Sequence, residues 1–97
     1  MRKFDRDKVP KPKSYKYFGD WDLLKAPLKD LEIGCGVGLH PIQYSIKNPG
    51  RKLIAIEHTE EKFKKFKSRF EGNYSPNNLL GIHGNAISII THEIANE

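Results

Sequence analysis

Apolar residues recur along the chain in short blocks whose spacing alternates between two periods. Leu28 to Ile33 is one such block, and it runs into Gly34-Cys35-Gly36-Val37-Gly38, so it reads as a short strand entering a glycine-rich turn. Residues 39–48 follow, with Pro41 near a helix N-terminus, where its missing N–H costs nothing. Ile42 and Ile46 stand four apart with Tyr44 between them, and Asn48-Pro49-Gly50 is a stop signal. Lys52 to Glu57 is almost continuously apolar, as in a parallel strand covered on both faces. Thr59 is placed to cap the next helix, and Glu60 and Glu61 in its first turn favour the helix dipole. Phe63, Phe66 and Phe70 then fall on one face. Gly72 ends that helix, 73–78 is a polar loop, and Leu79 to His83 reads as a third strand. Ile87, Ile90 and Ile94 mark a final helix that is still running at Glu97.

Upstream, Gly19-Asp20-Trp21-Asp22 interrupts the chain. Asp20 or Asp22 is placed to cap a short helix through Leu23-Leu24-Lys25, which Pro27 ends. The order from Leu28 onward is strand, helix, strand, helix, strand, helix. That alternation predicts an α/β fold: a Rossmann-like parallel sheet with right-handed crossovers and helices on both faces.

Composition narrows the setting. Ninety-seven residues, 37% of them hydrophobic, suit one small domain near the lower limit for a self-sufficient core. No apolar run approaches the ~20 residues that cross a bilayer, and no apolar segment follows the charged N-terminus as in a secretory signal. The single cysteine, Cys35, excludes a disulfide within the chain and points to a reducing cytoplasm. The net charge of +5 lies entirely in residues 1–18, whose basic side chains are Arg2, Lys3, Arg6, Lys8, Lys11, Lys13 and Lys16; residues 19–97 balance. Pro10, Pro12 and four aromatics complete an arm poorly suited to packing and well suited to polyanions. It is either a solubilising tail or a contact for phosphate backbones. The domain therefore spans residues 19–97, with the arm in front of it.

Chemistry concentrates at Leu31-Glu32-Ile33-Gly34-Cys35-Gly36-Val37-Gly38. A strand entering this turn sets backbone N–H groups and a helix N-terminus beside a ligand, with no side chain in the way. A second acid, Glu57, ends the next strand about 21 residues after Gly36. Dinucleotide binders carry G-x-G-x-x-G, but Leu39 occupies that third position and the glycine comes one residue early, at Gly38. Glu57 is also placed to cap the helix after Thr59. Cys35, between two glycines with no base nearby, reads as a packing residue. His40, His58, His83 and His92 lack metal-ligand spacing, so no metal site is expected. Lys62, Lys64, Lys65 and Lys67 read as solvated helix surface.

An acid one residue before G-x-G-x-G resembles motif I of class I methyltransferases. The resemblance implies S-adenosylmethionine as cofactor: Glu32 near its cationic methionine end, Gly34 and Gly36 along its path, and Glu57 accepting from both ribose hydroxyls. With Ile56-Glu57-His58, Asn48-Pro49 and Asn85-Ala86, the chain from about 28 to 92 is similar to the bacterial tRNA (guanine-N7)-methyltransferases. Asn85-Ala86 would contact the adenine, an amide standing where that family usually has an acid, and His58 would flank it. Two departures stand out. Val37, Leu39, His40 and Pro41 replace that family's usual residues after the second glycine, and its Asp-Pro-Trp strand and substrate-binding region do not occur before Glu97.

The expectation is a partial class I methyltransferase domain, the cofactor-binding portion of a cytoplasmic tRNA-modifying enzyme, inactive as an isolated chain. The alternatives are a methyltransferase of a small molecule or protein, and a non-catalytic cofactor-binding fragment. tRNA is the expected partner, through the arm and the absent C-terminal part. Self-association is expected through the first strand, whose edge is left open.

Overall fold

The computed structural model describes residues 15–72 and 75–91. Four strands, β1 (Lys16–Gly19), β2 (Asp30–Ile33), β3 (Leu53–Glu57) and β4 (Leu79–His83), form one sheet in the order β1-β4-β3-β2. The helices are α1 (Leu39–Lys47), α2 (Glu60–Gly72) and α3 (Ala86–Ile89), and a 3-10 turn spans Trp21–Lys25. β2, β3 and β4 are parallel, whereas β1 runs antiparallel to β4. The parallel sheet expected from sequence is thus corrected to a mixed one.

The correction comes from the end of the basic arm. Residues 16–18 do pack: Phe18 is buried against Phe63, Phe66 and Phe70, with ring centroids 4.5 to 5.5 Å apart. Its seat is Gly81 on β4, where any Cβ would overlap the Phe18 ring. The remaining arm residues, 1–14, lie outside the described part, as does Ile94 of the last predicted helix.

Strand alternation divides the core into two layers. Leu53, Ala55 and Leu79 face α1 and α2, where they meet Ile42 and the phenylalanine stripe. Ile54, Ile56, Leu80 and Ile82 face the other way, against Leu23 and Leu24 of the 3-10 turn and Ile89 of α3. β3 is buried along its whole length because both layers cover it. Asp20 caps the 3-10 turn, its Oδ1 accepting the Asp22 N–H at 2.9 Å.

Side chains brace the N-terminal ends of the strands. Asp30 accepts from the Tyr44 hydroxyl at 2.7 Å and from the Arg51 guanidinium at 2.8 and 3.1 Å, which hold its carboxyl below the usual range. Buried Asn78 points its amide N–H groups at the carbonyls of Ser45, Asn48 and Arg51. These contacts tie the end of α1 and both neighbouring loops together at this end of the sheet.

Among the described residues β2 is an edge strand, and Leu31 and Ile33 on its α3-side face are exposed. Asp30 and Gly34 give their N–H groups to the Lys52 and Ile56 carbonyls. By the alternation of a parallel ladder, the main-chain groups of Leu31 and Ile33 point away from β3.

Candidate functional site

The glycine loop leaves β2 at the C-terminal edge of the sheet and turns into α1. Gly34, Gly36 and Gly38 all adopt positive φ, at 74°, 62° and 86°. A Cβ at Gly34 or Gly36 would meet nothing within 4 Å, so these two serve the turn and keep its outer side open. Gly38 differs, since a Cβ there would run into the Phe66 ring. The early third glycine is therefore explained by loop-to-α2 packing, a role that its spacing alone did not disclose. Cys35 lies half-buried under the loop against the α1/α2 core. Burial first, then the Glu57 and Glu32 charges, push its thiol pKa up to about 12.

Glu57 ends β3 directly beneath this loop. Its Oε1 accepts the Gly36 N–H at 2.7 Å and its Oε2 the Thr59 N–H at 2.9 Å. The side chain is only 3% exposed. Burial pushes its pKa up, but the Thr59 and Gly36 N–H groups outweigh that and hold the carboxyl below its ordinary value. The residue read from sequence as either ligand contact or cap is thus a buried carboxylate bonded to both the glycine loop and the start of the next helical segment. Its main-chain carbonyl accepts from Gly84 N–H at 3.1 Å, joining the end of β4 to the same cluster.

Glu32 stands on the α1 side of β2, where His40 Nδ1 donates to its Oε1 at 2.6 Å. The sequence offered His40 as a departure from the family pattern and as a histidine without metal-ligand spacing, so this partner was missed; its one signal was a histidine in the first turn after the loop. His58 is largely exposed, with Nδ1 3.7 Å from Glu57 Oε2. Asn85 caps α3, its Oδ1 accepting the Ser88 N–H at 3.1 Å, while half-buried Ala86 packs under the other layer. One lone pair of the Asn85 Oδ1 thus serves the cap, leaving its other lone pair and its NH₂ for a ligand.

The structure therefore gathers Gly34, Gly36, Glu57, His58 and Asn85 at one edge, with Glu32 and His40 flanking. That donor set can hold a polar ligand with vicinal hydroxyls. Each Glu57 oxygen keeps one acceptor position beyond the bond it already makes, and the open outer side of Gly34 and Gly36 admits a chain without obstruction. Among the described residues, no cluster of three or more His, Cys, Asp or Glu is placed to hold a metal ion. No described helix is long and apolar enough to cross a membrane.

No curated protein matches the chain. A family model described as "Putative methyltransferase" matches residues 27–97, which takes in the glycine loop, Glu57 and Asn85. That span is well over half the sequence, and the chain belongs to this methyltransferase family.

Proposed function

We propose that this chain is the donor-binding portion of an S-adenosylmethionine-dependent tRNA (guanine-N7)-methyltransferase. The observation that carries the reading is the buried Glu57 carboxylate tied to the Gly36 N–H at the C-terminal edge of parallel strands. Open sheets of this kind bind ligands at that edge. Glu57 accepts from the ribose hydroxyls with its remaining lone pairs. The Glu32 carboxylate supplies negative charge near the cationic end of the donor, and His40 holds it in place. The Asn85 amide and the His58 ring border the adenine. When bound, the donor supplies a methyl group on a positively charged sulfur, and guanine N7 has a free lone pair to receive it. No strong general base is then needed, so alignment of N7, methyl and sulfur carries the catalysis. Such an economy agrees with a site built from acceptors and open backbone.

Titration calorimetry with S-adenosylmethionine tests the reading. Glu57→Ala removes charge-assisted hydrogen bonds and is expected to weaken binding by roughly 1.5–3 kcal/mol. Equal affinity in wild type and variant removes Glu57 from the site, and no binding by the wild-type chain rejects the assignment as a donor-binding portion.

A further inference from the structure

β1 brings the root of the basic arm to the same edge of the sheet as the glycine loop. Lys16 sits opposite His83, at the C-terminal end of β4. Tyr15 lies beside Gly84, where a Cβ would come within 3.7 Å of its ring. A groove of about 400 Å³ runs here between β1 and α2, with Tyr15, Lys16 and Tyr17 on one wall and Phe63, Lys64 and Lys67 on the other. Glu60 is the acid in it. Lys16 Nζ bonds Glu60 Oε1 at 2.7 Å, so three ammonium groups share the groove with one carboxylate that is already engaged. Helical periodicity sets Lys64 and Lys67 on the Glu60 flank of α2, and Lys62 and Lys65 on the opposite flank of the phenylalanine stripe. The lysines that the sequence read as uniform solvated surface thus divide into two groups, one of which borders a groove. On the opposite face of β1 from the groove, Tyr17 is 47% exposed, with its ring centroid 4.6 Å from that of Trp21.

Charge continues past Tyr15. In the sequence, residues 1–14 contain Arg2, Lys3, Arg6, Lys8, Lys11 and Lys13 against Asp5 and Asp7, immediately before Tyr15. An excess of lysine in a groove, with more basic side chains just ahead of it in the sequence, matches a chain with phosphates along its backbone. We propose that the β1/α2 groove carries the backbone of an RNA substrate, in continuity with the basic arm, and holds it against the donor edge of the sheet. This deepens the tRNA reading and rests on it. It assigns RNA contact to Lys16, Lys64 and Lys67 of the folded part.

The test is fluorescence anisotropy of the 97-residue chain with an unmodified tRNA transcript across a salt series. Lys64→Gln/Lys67→Gln is expected to weaken binding and to flatten the slope of log affinity against log salt by about 1.4, at roughly 0.7 per lost single-strand contact. Lys62→Gln/Lys65→Gln makes the same charge change on the far flank and is expected to leave the slope near wild type. Glu60→Gln removes the one groove acid and is expected to tighten binding, which a merely unfolding substitution would not do. An unchanged slope in the groove variant, an equal loss in the far-flank variant, or equal competition by polyglutamate overturns the proposal. Calorimetry with the methyl donor separates the two readings. A chain that binds RNA through the groove but binds no donor loses its proposed function and keeps the groove, whereas the reverse pattern loses only the groove.

Discussion

The Gly36 N–H and the Glu57 Oε1, 21 residues apart in sequence, meet at 2.7 Å under the glycine loop. One carboxylate thereby holds the glycine loop and, in the function proposed above, is also the acceptor for the donor's ribose. At 3% exposure Glu57 offers little surface, so a ligand engaging it must shift the loop or share the Gly36 bond. The Gly36 amide is therefore expected to show one of the larger nitrogen–proton NMR shifts on donor addition. Donor binding that leaves that resonance unmoved would place the ligand elsewhere.

Glycine substitutions should differ by position. At Gly38 an alanine meets both a positive φ and the Phe66 ring, whereas at Gly34 it meets only the φ penalty, about 1–2 kcal/mol. Overpacking adds typically 1–3 kcal/mol. Thermal unfolding is expected to rank Gly38→Ala clearly below Gly34→Ala, and equal stabilities would contradict the packing at Phe66.

Acid should unfold the chain through specific carboxylates. The pKa of Glu57 is lowered by the Thr59 and Gly36 N–H groups against its burial, and those of Asp30 and Glu60 by Arg51 with Tyr44 and by Lys16. A depressed folded pKa contributes stability above the unfolded value, 4.5 for a glutamate, and that contribution is lost as pH falls through the folded value. Tm is expected to change little near neutrality and to drop below about pH 4.5. Glu57→Gln should lower the neutral plateau and soften the drop, because its NH₂ would face an N–H donor. A variant whose acid profile superimposes on wild type would refute the role given to Glu57.

Cys35 is expected to be a poor nucleophile. With its pKa pushed up to about 12, its thiol stays protonated at pH 8. Iodoacetamide followed by intact-mass measurement should show slow labelling of the folded chain and fast labelling in denaturant. Prompt labelling of the native protein would mean that the loop exposes the sulfur.

The outer edge of β2 supports a proposal of self-association. Leu31 and Ile33 are exposed on an edge strand whose main-chain groups point outward, an arrangement that templates pairing with a second copy. Sedimentation is expected to show concentration-dependent dimers or larger species, and Ile33→Lys to shift them toward monomer. A wild-type chain that stays monomeric at high concentration would show that this edge does not self-pair.

Elements with a clear period were legible from sequence: β2, β3 and β4 as apolar blocks, α1 and α2 as stripes. Glu57 and Gly36 could be singled out because a strand end and a turn fix their places in the chain. β1 could not, since its four residues, Lys16 to Gly19, bury only Phe18, and the glycine that receives that ring lies on β4. The Glu32–His40 pair escaped for a similar reason, as it forms across the loop and not within an element. Asn78 looked like ordinary loop polarity because its three acceptors come from the end of α1 and the turn after it.

The Phe18 ring seated on Gly81 also acts as a pin. Slipping β1 by one residue would turn Phe18 to the other face of the sheet and set Tyr17 or Gly19 over the gap, so the pairing has one workable alignment. The same pin fixes Lys16 opposite His83 and Tyr15 beside Gly84, so a single ring sets where β1 begins against the C-terminal end of β4.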